Sequence, residues 1–199
     1  PDWLREGLRY APLAALAAGT AAGGEPVSAP IYAVCTNGKR DICCAKHGLP
    51  LYQALRQQAG DQVWQCSHIG GHRFAGTCVV LPQGQYYGRL TPDQAADLVR
   101  AAQADSILLG HSRGRADLSA PVQAADYYLR EHSGQTARTA FTLQSHTQEG
   151  DHWHVVFTAA GGQRHTVTLL QTPSEVPIIA DSQEAQGKHL PQYRLIAIG

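Results

Sequence analysis

The sequence predicts an α/β domain, one layer of sheet with helices against it, followed by a smaller α+β region. Three observations carry that expectation. Compact apolar runs end in turn residues, apolar stripes at helical spacing open on capping residues, and the pattern changes after Gly110, where alternating segments take over. A chain of 199 residues with 43% hydrophobic content can bury one ordinary core or two small ones.

Pro30-Ile31-Tyr32-Ala33-Val34 is apolar and bounded by Pro and a polar loop, and reads as a buried strand. Leu49 to Gln58 reads as a helix, with Pro50 in its first turn, Leu51 and Leu55 on one face, and Gly60 closing it. Gln62–Cys66 is a second strand that delivers the chain into the loop His68–His72. Cys78–Pro82 and Gln85–Gly88 flank the turn Pro82-Gln83-Gly84 as an antiparallel hairpin. Thr91-Pro92-Asp93-Gln94 is a capping box that opens a helix with the stripe Ala95, Leu98, Val99 and Ala102. The order is β-α-β-β-β-α.

Beyond that point Ser112-Arg113-Gly114-Arg115 reads as a basic, glycine-broken loop. Ser119 caps a helix over Pro121–His132, stopped by Gly134. Strands follow at Phe141/Leu143, Trp153/Val155/Phe157 and Val167/Leu169, separated by turns at Gly150 and Gly161-Gly162, with a last strand at Tyr193–Ile198. Before the first strand, Pro1–Ala18 reads as a short helix leading into a Gly/Pro linker. The expected divisions are 1–27, 28–108 and 109–199.

Formal net charge is zero, from 16 basic and 16 acidic side chains, which argues against a nucleic-acid or anionic-membrane partner recognised through bulk charge. The Ala-rich run Ala11–Ala22 is too short and too Gly-interrupted to span a bilayer. Five cysteines, two of them adjacent, fit reduced thiols in the cytoplasm better than a secreted disulfide framework. The chain contains no methionine, so Pro1 is not a translation start; the N-terminus is processed or the chain is a piece of a longer protein.

The residues richest in chemistry are Cys35-x8-Cys44 and His68-x3-His72. Thiols and imidazoles together form the ligand set of zinc or of an iron–sulfur cluster. Cys35 and Cys44 bracket a polar loop at a strand exit, where Lys39 and Arg40 are expected to keep nearby thiols ionised. Gly70 and Gly71 between the histidines suit a backbone wrapped closely around a ligand. Cys66 and Cys78, inside expected strands, read as small buried hydrophobes. His152 and His154 share one solvated strand face, His47 reads as loop surface, and the other histidines lack ligand-like spacing.

Three blocks then bear a specific resemblance. They are Val34-Cys35-Thr36-Asn37-Gly38-Lys39-Arg40-Asp41-Ile42-Cys43-Cys44-Ala45, Trp64-Gln65-Cys66-Ser67-His68-Ile69-Gly70-Gly71-His72-Arg73-Phe74-Ala75, and Leu81-Pro82-Gln83-Gly84 with Tyr87-Gly88-Arg89-Leu90. Together they resemble the sucrase/ferredoxin-like family, also described as thioredoxin-like ferredoxins with bis-histidine clusters. A weaker echo follows at Arg113-Gly114-Arg115 and Pro121–Ala125. The resemblance implies a thioredoxin-like domain holding a 2Fe–2S cluster, with Cys35 and Cys44 on one iron and His68 and His72 on the other. Lys39, Arg40, Gly70, Gly71 and Arg73 would surround these ligands. Family members usually extend further on the N-terminal side of this region.

The function so implied is electron transfer rather than stand-alone enzyme catalysis, between donor and acceptor proteins that the sequence leaves unnamed, in a chain that could pair as a homodimer. Exchanging two thiolates for imidazoles raises the potential from about −400 mV toward roughly −150 to +300 mV. It also adds ionisable N–H groups, so reduction is expected to be coupled to a proton. Two rivals use other chemistry. A structural zinc module would use the same Cys2His2 set. Sucrose hydrolysis would need two facing carboxylates, whereas Asp and Glu here are dispersed. A dithiol oxidoreductase is disfavoured because the chain has no C-x-x-C.

Overall fold

Tyr32 and Val34 alternate with Ala33 along the first strand, and both are fully buried. The computed structural model, which describes residues 28–179 and 186–199, builds its first sheet around that strand. The helix and linker expected over 1–27 lie outside the described residues. Strand β1 spans Ile31–Cys35, helix α1 Ile42–Ala59, β2 Val63–Cys66, β3 Cys78–Leu81, β4 Gln85–Tyr87 and helix α2 Ala95–Gln103. β1 and β2 are parallel, joined through α1, and β3 and β4 form an antiparallel hairpin beside β1. A parallel pair joined by a helix, then an antiparallel hairpin and a second helix, is the thioredoxin-like order, here β2-β1-β3-β4. The expected capping box at Thr91 and Gln94 opens the turn Pro92–Gln94 that leads into α2.

Two expectations need correction. Helix α1 begins at Ile42 rather than Leu49, because Asp41 caps it: its backbone is extended and its carboxylate accepts the Cys43 N–H at 2.8 Å. Pro50 therefore sits inside the helix, not in its first turn. The buried stripe Cys44, Gly48, Leu51 and Leu55 runs along the whole helix and seals the core over Tyr32, Val34 and Leu98. Second, Ser112–Arg115 is not a loop but a strand, β5, paired with β4, so the sheet has five strands where about four were expected. Its residues show no apolar alternation. Its pairing is helped by Gln85, whose side-chain amide donates to Ser112 Oγ and the Gly114 carbonyl, both at 3.0 Å.

Helix α3 (Ala120–Ser133) follows, then strands β6 (Phe141–Glu149), β7 (His152–Ala159), β8 (Arg164–Pro173) and β9 (Pro191–Ile198). These four make an antiparallel sheet in sequence order. Val122, Ala125 and Leu129 of α3 pack on its inner face against Phe141, Val155, Phe157, Val167 and Leu169. The same helix holds β5 through Gln123, whose amide donates to the carbonyls of Arg115 and Leu118 at 3.0 and 2.7 Å. Arg138, in the turn before β6, pairs at 2.7 Å with Asp105, just after α2. Among the described residues no helix is long and apolar enough to cross a membrane.

Helix α1 crosses close to the end of β1 at Gly48. A Cβ added at Gly48 would fall on the Cys35 carbonyl oxygen, which is backbone and cannot rotate away. Gly48→Ala should therefore cost about 2 kcal/mol or more, read as a lower urea midpoint, although alanine favours helices. An unchanged midpoint would show that helix and strand separate freely at this point.

Candidate metal centre

Cys35 ends β1 and Cys44 lies in the first turn of α1; each is 1% exposed. The loop that joins them is short, and the Asp41 cap fixes its far end. The parallel register sets Cys66 opposite Cys35, so the chain leaving β2 runs beside the chain leaving β1. His68 follows two residues later, half-buried, with Nδ1 3.8 Å from Cys44 Sγ. The ligand atoms of Cys35, Cys44 and His68 all lie within 4.8 Å of one another. His72 is outside that group, although its ring centroid is 5.5 Å from that of His68.

His72 is 8% exposed, and its Nε2 faces Asp41 Oδ2 at 3.7 Å. Asp41, itself 7% exposed, thus holds both halves of the site: one oxygen caps the helix that carries Cys44, the other faces the imidazole. A carboxylate behind a ligating imidazole fixes the ring and its tautomer. Sequence reasoning missed Asp41. Its signal is an Asp immediately before a helix start, hidden once that start is placed at Leu49.

Cys43, the neighbour of Cys44, is outside the donor group, and Asp41 raises its thiol pKa through a hydrogen bond. Cys78 is fully buried in the core, and burial holds its thiol neutral. Cys66 is half-buried beside Cys35; burial first, then its neighbour Cys35, pushes its pKa to about 11. Lys39 and Arg40 do not lower the Cys44 pKa as expected. They are exposed while the thiol is buried, and burial followed by the Cys35 thiol pushes Cys44 up to about 12.

Gly70 and Gly71 both have positive φ, +86° and +69°, which lets the histidine loop double back. Arg113 of β5 threads this loop: an added Cβ at Gly71 or Gly88 would strike its side chain, and its guanidinium reaches the Gly70 carbonyl at 3.5 Å. The Arg113 guanidinium lies over the Phe74 ring, 4.7 Å from the centroid, as does that of Arg73. Sequence reasoning placed Arg73 near the ligands. It did not foresee Arg113, because the contact spans 43 residues from Gly70.

The sequence profile of the sucrase/ferredoxin-like family matches residues 11–114, more than half of the chain, and the chain belongs to that family. Among curated proteins it is similar to altered inheritance of mitochondria protein 32 of Clavispora lusitaniae, 30% identical over 83 residues, covering 38% of this chain and 30% of the relative. The protein of the same name from Debaryomyces hansenii is 28% identical over 85 residues, covering 38% of this chain and 31% of the relative. The match thus takes in under a third of the length of these relatives. Among solved structures, the thioredoxin-like [2Fe-2S] ferredoxin from Aquifex aeolicus aligns with a TM-score of 0.41 at 14% identity, over 47% of this chain and 98% of the ferredoxin.

The donor chemistry fits a metal. Two buried thiols and a half-buried imidazole converge with no disulfide between the cysteines. A buried thiol near pKa 12 becomes a thiolate at neutral pH only beside a strong positive charge. Metal uptake must therefore displace the Cys44 proton. Titration of the metal-free chain with cobalt(II) should show affinity rising about tenfold per pH unit for each thiol proton displaced, between about pH 6 and 8. The sign reverses for folding of the metal-free chain. Unfolded Cys44 ionises from 9.0 while the folded thiol stays neutral to about 12, so stability present below pH 9.0 is lost between these values. A pH-independent cobalt affinity would contradict the neutral thiol.

Proposed function

We propose that this chain is a one-electron carrier whose centre is a 2Fe–2S cluster, held by Cys35 and Cys44 on one iron and by His68 and His72 on the other. The observation that supports it most is the spread of the donors. A single tetrahedral zinc with bonds of about 2.0–2.3 Å needs its four donors about 3.3–3.8 Å apart. His72 stands outside the group of three that lie within 4.8 Å, as suits a centre with two metal ions. Family membership and the thioredoxin-like strand order point the same way. A structural zinc module remains the second reading, favoured by the compact trio Cys35, Cys44 and His68.

Bound here, such a cluster would supply one-electron redox chemistry. The chain's part is to hold, shield and balance it. Cys35 and Cys44 bring thiolates from a water-poor site, and neutral imidazoles keep the total ligand charge low, which raises the potential. The two histidines differ in their surroundings. Nε2 of His72 faces Asp41 Oδ2 at 3.7 Å, whereas His68 is half-buried and turns Nδ1 toward Cys44. The five free thiols suit a reducing compartment such as the cytoplasm, with donor and acceptor proteins as partners.

Substitution tests the ligand set. Cys35→Ser and Cys44→Ser should each bleach the visible spectrum of the anaerobically purified protein, while Cys78→Ala and Cys43→Ala should leave it intact. Full iron retained in Cys44→Ser, but lost in Cys43→Ser, would move the ligand to Cys43. Cys66→Ala should also keep the spectrum, despite its place beside Cys35.

Voltammetry tests the proton. An added electron makes the N–H of an imidazole ligand hold its proton more tightly, so potential should fall as pH rises, approaching about −59 mV per unit for one proton per electron. His68→Cys should flatten this slope more than Asp41→Asn does. A potential that is flat from about pH 6 to 10 with the centre intact would leave electron transfer without a proton.

A further inference from the structure

The side of the site built by β5 carries a concentration of charge that the metal centre does not use. Three guanidiniums lie over one ring: Arg73 and Arg113 at 4.7 Å from the Phe74 centroid and Arg89 at 5.4 Å. Among the described residues, none of these three arginines has a carboxylate in ion-pair distance, whereas Arg115, Arg130 and Arg138 each do. Burial and the neighbouring Arg73 both lower the Arg113 pKa, as expected where like charges are crowded. In a chain with zero formal net charge this is a local excess, gathered on a residue two positions from His72.

The backbone holds the cluster in place. Arg89 keeps a positive φ of 55°, unusual for a residue with a side chain, and its N–H donates to the Phe74 carbonyl at 2.7 Å. Arg113 passes between Gly71 and Gly88, where no side chain would fit. Pre-set guanidiniums lose little rotamer freedom on pairing with carboxylates. Arg73 and Arg89 are exposed and lie around a half-buried ring, rather than converging in a closed cavity, a layout suited to a broad surface and not to one small ion.

We propose that Phe74 with Arg73, Arg89 and Arg113 is the docking face for a carboxylate-rich surface of a partner protein, beside the electron-carrying centre; the partner's redox role rests on the function proposed above. Aspartates and glutamates around a partner's own cofactor would pair with the arginines, and Phe74 would supply the apolar middle. Such a face speeds encounter and sets orientation, and its effect falls with salt.

The test uses the full chain as purified, with its metal, and a fluorescein-labelled hexaglutamate peptide followed by anisotropy. Binding should weaken steeply with sodium chloride, and labelled hexalysine should not bind. Arg73→Glu and Arg89→Glu should each weaken hexaglutamate by about fivefold or more, whereas Arg164→Glu, the same charge change on β8, should leave it within about twofold. Equal effects of all three substitutions, or no binding at low salt, would overturn the docking face. So would full displacement of the peptide by inorganic phosphate at matched ionic strength, which would mark a small-anion site instead. Iron and sulfide content of the same samples reports separately on the electron-carrier reading: binding without iron keeps the face and removes the redox role, and iron without binding does the reverse.

Discussion

The contact between Gly48 and the carbonyl of Cys35 governs the rest of the site. Only a residue without a side chain lets α1 come so close to the end of β1. That approach puts Cys44, one helical turn before Gly48, beside Cys35 and takes both thiols out of water. Burial then keeps Cys44 protonated until a cation replaces the proton, so the packing of one helix on one strand decides the chemistry of the pair. The same contact explains why α1 starts where it does: Asp41 must turn the chain out of the cysteine loop within a few residues, and its cap does so.

The second half of the site depends on register. Parallel pairing of β1 with β2 carries the chain past Cys66 to His68 at the end of the sheet where Cys35 emerges. From there two left-handed glycines fold the loop back, and Arg113 pins it from the far edge strand. The candidate ligands therefore rest on backbone geometry drawn from β1, α1, β2 and β5. Asp41 links the two loops directly, which couples the orientation of His72 to the start of the helix that carries Cys44.

Much of this was legible in the residues. Strands β1 to β4 stand out as apolar runs with turn residues between them, and Thr91 to Gln94 announces α2 through its side chains. The Cys and His pairs are visible because their spacing is uncommon among core residues. What stayed hidden had non-local causes. Pro50 suggested a helix start, yet the tertiary contact at Gly48 and the cap at Asp41 extend the helix past it. Ser112–Arg115 has no strand signature because its order comes from the edge of β4 and from Gln85. Asp41 and Arg113 act through partners that only the fold brings near, and charge near Cys44 was misjudged because exposure of Lys39 and Arg40 is invisible in sequence.

In the proposed centre two thiolates and two imidazoles share two irons, sorted by type. Mössbauer spectroscopy of the oxidised protein, grown on iron-57 and purified anaerobically, reads that arrangement iron by iron. Unlike ligand pairs make the two irons inequivalent, so the expected spectrum has two ferric environments in equal amounts, which should diverge further on one-electron reduction as the added electron settles on a single iron. A single iron environment, one iron per chain, or zinc in place of iron would contradict it.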